Sequence, residues 1–269
     1  MQLFENLFIK RQSGATIEVI SKGLVVVLEN AARLLEDAII LDKSNRFASP
    51  QFLITTAEEE MAKSLILLDV CRLDFSRHTG VLRCLCRSFY NHIAKYAYGH
   101  VIRYPSLHDM MEVKKMWEVE TTKLWPSADD ESGEPDIPHR TYFTRAMPLY
   151  VEFGDYDQRW YEPEKDAAFA YKYDGKYRFR DAQEALGRLQ RTFKTGLCTP
   201  ESLSILNDNF RKFYITENTP KGQLERLYKR TAQQIETKLH IKKETFFDSA
   251  LHEWPMYNFT TLLNIKRNA

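Results

Sequence analysis

Glycine is scarce in this chain, ten of 269 residues, and cysteine scarcer still at four. A glycine-poor chain has little material for a phosphate-cradling loop, and neither a Walker loop nor a GxGxxG segment occurs. HExxH, paired CxxC and GxSxG motifs are also missing, and together these absences argue against nucleotide-driven enzymes and zinc hydrolases. Four cysteines (Cys71, Cys84, Cys86, Cys198) do not make a disulfide framework. Cys84 and Cys86 stand two apart, so on a helix they point to nearly opposite sides and cannot share a zinc ion. All four read as reduced, part-buried thiols. Charge of one sign is missing too: 38 Lys and Arg meet 37 Asp and Glu, a net +1 that announces no nucleic-acid partner by bulk field. No apolar run approaches the ~20 residues that span a bilayer. The first residues, MQLFENLFIKRQSG, mix charge into the apolar positions without a small-residue cleavage site, so a cytoplasmic protein is expected. No metal ligand set and no cofactor motif is found.

What is present is helical periodicity. From Ile17 to Leu41 apolar residues recur at three- and four-residue spacing: Ile20, Leu24, Val27, Leu28, Ala31, Leu34, Leu35, Ala38 and Leu41. A second helix is predicted from Ser49-Pro50, with Ser as cap and Pro in the first turn, to about Phe75. His78-Thr79-Gly80 ends it, and a third helix is predicted over Val81 to Ile102 on the stripe Leu82, Leu85, Phe89, Ile93, Tyr96, Ala97. A fourth runs from Ser106 to Leu124. Long helices joined by short loops describe an up-and-down bundle.

The pattern changes after Trp125. The segment PSADDESGEPDIP holds five acids between Asp129 and Asp136 and reads as a surface loop. Leu149 to Phe153 reads as a short strand, and Phe169 to Phe179 alternates about Asp174-Gly175 as a hairpin. Helical pattern returns at Asp181–Thr192, Pro200–Tyr214 and Pro220–Leu239. The expectation is a mainly α chain: a helical bundle over 15–125, an acidic loop with short strands and a hairpin over 126–180, and a basic helical region over 181–269. Between Phe210 and Lys243 nine Lys and Arg face three Glu.

Two polar clusters interrupt the apolar helices. In the second helix, Glu58-Glu59-Glu60 precede Lys63, giving Glu59–Lys63 and Glu60–Lys63 pairs at helical spacing, for which the plain reading is a solvated face. In the third, Arg87 stands five residues before His92, with Asn91 and Lys95 beside it. On a straight helix five residues turn the side chains about 140° apart, so the two share no face unless a cleft receives both. A surface or core histidine is the plain alternative. Taken together, an imidazole suited to proton transfer and a guanidinium suited to phosphate fit phosphodiester cleavage.

Arg87-x4-His92 on the third long helix resembles the R-x4-6-H motif of the HEPN superfamily. Asn30-Ala-Ala-Arg-Leu-Leu-Glu-Asp37-Ala, Ala57-Glu-Glu-Glu60-Met-Ala-Lys63 and His92-Ile-Ala-Lys95 are similar to successive motifs of AbiV-type abortive-infection HEPN proteins. Leu149-Tyr150-Val151-Glu152 and Trp160-Tyr-Glu-Pro163 are similar to that family's segment after the bundle. The resemblance covers residues 20 to 165. It implies a HEPN-like bundle that forms a homodimer and sets the Arg and His of each copy in one composite cleft. It implies a metal-independent endoribonuclease, with His92 moving the proton and Arg87 holding the scissile phosphate. Asn91, Lys95, Glu59, Glu60 and Lys63 would support His92 or bind the RNA backbone, and a phage-encoded protein would be a trigger. The sequence departs from the superfamily at Ser88, where a planar polar residue often follows the Arg. It also carries Ala94 where some HEPN toxins have a Tyr that an antitoxin modifies, so control by that route is not expected. On the helix from Pro220, Arg226, Lys229 and Arg230 fall close together around Tyr228, either as a solvated face or as an RNA-binding one. The rival reading keeps the fold without catalysis, as a module that binds RNA or a phage protein.

Overall fold

A computed structural model describes residues 13–103, 148–154, 159–170, 176–194, 196–213 and 220–240. Within them the chain is mainly α, as the periodicity implies. Helix α1 spans Ser13–Lys43, α2 Ala48–Cys71, α3 Thr79–Ser88 and α4 His92–Arg103. Strands β1 (Glu152–Gly154) and β2 (Arg159–Tyr161) follow, then α5 (Pro163–Ala170), α6 (Lys176–Lys194), α7 (Pro200–Phe210) and α8 (Lys221–Leu239). The expected helix over 106–124 and the acidic loop lie outside the described residues.

Helix α1 buries the stripe its spacing dictates: Ile20, Leu24, Ala31, Leu35 and Ala38 are almost fully enclosed, and only Leu41 at its end is half-buried. It packs along α2, closely enough that a Cβ on Gly23 would meet Leu67 Cδ1 at 3.2 Å. Helix α2 is the centre of the molecule. Eighteen of its 24 residues are buried, so it has no broad solvated face. Besides α1, helices α3 to α7 all contact it. An apolar helix surrounded on all sides needs its end groups satisfied by neighbours, because water cannot reach them. Here they are. Glu164 of α5 accepts from the amides of Phe47 (2.7 Å) and Ala48 (3.3 Å) at the N-terminus. Asn207 of α7 donates through Nδ2 to the carbonyls of Cys71 (2.6 Å) and Leu73 (2.9 Å) at the C-terminus. The expected cap at Ser49 is therefore corrected: the cap position lies two residues earlier, at Phe47, which makes no side-chain bond, and a carboxylate more than a hundred residues away does the capping.

Three further expectations change. The helix predicted as continuous over Val81–Ile102 is two helices, broken at Phe89-Tyr90-Asn91. The strand expected from Leu149 begins at Glu152 and pairs antiparallel with β2 in the register Glu152–Tyr161, Phe153–Trp160, Gly154–Arg159. The hairpin expected over Phe169 to Phe179 is replaced by helix at both of its described ends, where Phe169 and Ala170 close α5 and Lys176 to Phe179 open α6; its turn at Asp174-Gly175 lies outside the described residues. Alternation over so short a stretch is compatible with either period, and burial decides. Phe179, Ala182, Ala185, Leu186 and Leu189 form one helical stripe in the core.

The C-terminal helices join this core rather than standing apart. Phe179, Leu203, Phe210, Leu227 and Ile235 belong to the same buried cluster as α1 and α2. Thr199 caps α7 through the Ser202 amide (3.3 Å), with Pro200 in the first turn as the sequence suggests. Among the described residues no helix is long and apolar enough to cross a membrane. The four cysteines are free, three of them buried. Burial pushes the Cys71 thiol up to about 12 and the Cys198 thiol well above its ordinary value, which keeps both as inert thiols.

Candidate active site at a helix break

The break between α3 and α4 has a local cause. Asn91 accepts a hydrogen bond on its side-chain oxygen from the Ala94 amide (3.1 Å), three residues on. That is an N-cap, and it starts a new helix at His92. The α3 end closes through Phe89 and Tyr90, whose amides donate to Leu85 (3.1 Å) and Arg87 (3.0 Å) carbonyls. His92 thus occupies the first position of a helix rather than the middle of one. The 140° separation expected on a straight helix does not apply.

His92 Nδ1 lies 2.9 Å from both oxygens of Glu59 on α2. A carboxylate only accepts, so in this contact Nδ1 carries the hydrogen, and a neutral imidazole held this way presents its lone pair at Nε2. Glu59 is nearly enclosed, with 7% of its side chain exposed, whereas 44% of the His92 side chain is exposed. The ring is thereby fixed from the protein side and open on the other. Lys95, one turn along α4 and itself buried, donates Nζ to Glu59 Oε2 at 2.6 Å. One buried carboxylate holds two donors from the same helical turn.

The remaining candidates divide. Glu60 pairs with Lys63 (2.5 Å), and the Lys63 ammonium lies 5.2 Å from the centre of the Phe89 ring, so that pair braces the break rather than His92. Arg87 is exposed on the last turn of α3, across the break from His92. Ser88, the residue that departs from the superfamily pattern, is buried and donates to the Cys84 carbonyl (2.9 Å). Arg226, Lys229 and Arg230 are all exposed on α8. The solvated-face reading of the glutamates is corrected for Glu58 and Glu59, both buried; Glu58 meets Arg178 of α6 at 3.4 Å, and Arg178 also donates to Thr55 (3.0 Å).

Sequence reasoning missed a second buried network. Tyr98 of α4, fully enclosed, donates its hydroxyl to Asp69 Oδ2 of α2 at 2.7 Å. Arg72 pairs with the other Asp69 oxygen and lies 5.1 Å from the centre of the Phe210 ring of α7. Burial raises the Asp69 carboxyl to about 6 against the opposing pull of Arg72. The signal was available: Asp69 and Arg72 are charges three apart in the apolar run from Leu65 to Leu73. Among the described residues no three His, Cys, Asp or Glu side chains gather to hold a metal.

The helical bundle, with an acid-held histidine at a helix start, agrees in kind with a family match over more than half of the chain, which makes this a HEPN-type protein. More particularly, residues 19–172 match the family model described as AbiV, more than half of the chain, and the chain belongs to this family of abortive-infection HEPN proteins. Comparison with curated proteins and with solved structures returned no match.

Proposed function

We propose that this protein is a metal-independent endoribonuclease of anti-phage defence, which cuts RNA and stops translation during infection. The observation that carries this reading is His92, clamped by buried Glu59 at Nδ1 and exposed on its other side. In the proposed reaction, Nε2 takes the proton from a ribose 2′-OH as that oxygen attacks the adjacent phosphorus. The bond to the 5′-oxygen breaks, the leaving oxygen takes up a proton from water or from the imidazolium, which so regains its neutral form, and a 2′,3′-cyclic phosphate remains. Arg87 holds the non-bridging oxygens on which charge builds. Lys95 and Glu59 position His92, Asn91 fixes the start of its helix, and Glu60 and Lys63 support the turn before it. A second copy would complete the cleft, a phage protein would release the activity, and the protein would work in the cytoplasm. Residues 15–125 would carry the catalytic unit, 126–180 a connecting segment, and 181–269 a basic region that brings RNA in through Arg226, Lys229 and Arg230.

The test is incubation of the purified protein with total tRNA and ribosomal RNA in EDTA, beside His92→Ala. Cleavage with cyclic-phosphate ends, reduced at least a hundredfold in the variant, is the expected result. Undiminished cleavage by His92→Ala would place the chemistry elsewhere. The buried, helix-bound Ser88 favours a second reading, in which the fold binds RNA or a phage protein without cutting. RNA binding without cleavage under any condition that releases toxicity in cells would select it.

A further inference from the structure

The turn that separates Arg87 from His92 presents an aromatic ring. Tyr90 is 51% exposed, although a tyrosine in water forgoes the burial its ring would gain in a core. Its neighbour Phe89 is half-buried and meets it edge to face, ring centres 5.5 Å apart at 66°. Phe89 is held in turn by the Lys63 ammonium and so by Glu60. The chain Glu60–Lys63–Phe89–Tyr90 therefore sets an exposed ring on a braced support, in the turn that joins the helix of Arg87 to that of His92. Had α3 continued into α4, Tyr90 would lie on a helix flank; the Asn91 cap places it in a turn instead.

We propose that Tyr90 is a base-stacking residue, and that the site takes RNA whose base next to the cut is unpaired. This rests on the ribonuclease reading and narrows it. Every base has a π face, so an aromatic platform accepts any of them, but only when the base is released from a duplex. The substrate class is then single-stranded RNA, or the single-stranded loops of folded RNA, with duplex refused because its bases are already stacked.

The experiment uses a short single-stranded oligoribonucleotide with 2-aminopurine walked along it, bound to full-length protein carrying His92→Ala to prevent turnover. Quenching of 2-aminopurine at one position is expected. Adding Tyr90→Ala should abolish that quench and weaken binding roughly tenfold, while Tyr90→Phe and Tyr90→Trp keep both. Affinity for a fully paired duplex should not change with Tyr90→Ala. An unaltered thermal midpoint separates loss of stacking from loss of fold. Quench and affinity retained in Tyr90→Ala, with His92-dependent cleavage intact in the parent, would overturn the stacking role alone. A parent that neither binds nor cuts RNA would overturn this inference together with the nuclease reading.

Discussion

Glu59 accepts from His92 and from Lys95, and the two bonds differ in what they hold. Lys95 is buried, so its ammonium depends on Glu59 for solvation that water cannot supply. Glu59→Ala should cost about 3 kcal/mol or more in urea unfolding, because it strands that charge. Adding Lys95→Met should recover much of the loss, since a buried pair replaced by apolar groups can be nearly neutral. Cleavage should stay lost in the double variant, because His92 has nothing to fix its tautomer; recovery of both together would mean Glu59 is only a structural ion. Asp69 offers a pH test. Its folded carboxyl is raised from 3.8 to about 6, so the proton is bound more tightly in the folded state. Its contribution to stability is present below pH 4 and lost as pH rises through 6. Wild type should therefore lose stability relative to Asp69→Asn between pH 4 and 6, and parallel pH curves would show that burial does not govern this group. Residue types were legible in the sequence at these positions; burial was not. Three glutamates in a row look alike as letters, yet Glu58 and Glu59 are buried and Glu60 only partly so, because α4 and α6 close over one side of α2.

At the scale of elements, the buried stripe of α1 could be drawn from its letters, although the helix starts four residues before Ile17 and ends two after Leu41, because one amphipathic stripe facing one neighbour is what periodicity encodes. Helix α2 could not, since its ends are satisfied by Glu164 and Asn207, and no local signal announces a cap that distant. The break after Ser88 lies between these cases. Its apolar stripe carries on through Phe89 and Ile93, which favoured one helix, while the cap signal was a single Asn before His92. Removing that signal should show its weight. Asn91→Ala should cost about 1 kcal/mol and speed hydrogen exchange at the Ala94 amide, with Asn91→Asp near wild type. Equal exchange in all three proteins would mean that packing, not the cap, starts α4.

Across the whole molecule, the three C-terminal helices are structural partners of the bundle. Phe210 touches Arg72, Asn207 closes α2, and Arg178 reaches Thr55 and Glu58. The letters of that part show a basic helical region, since charge on α8 is visible in the sequence and the shared core is not. The exposed cations of α8 then have a rigid mounting. Replacing Arg226, Lys229 and Arg230 by Ala should weaken RNA binding evenly across sequences and flatten the salt dependence by roughly two units of slope, at about 0.7 per single-strand phosphate. An unchanged slope would leave α8 as a solvated surface.

The turn at Phe89-Tyr90-Asn91 also sets how this motif can drift. Along an unbroken helix one inserted residue rotates everything beyond it by about 100°, and His92 would leave Glu59. A length change within the turn is instead absorbed before Asn91 restarts the helix, and α4 keeps its register on α2. The spacing between arginine and histidine is then free to vary among descendants by a residue or two, while the five-residue block from Asn91 to Lys95 that docks on Glu59 is not.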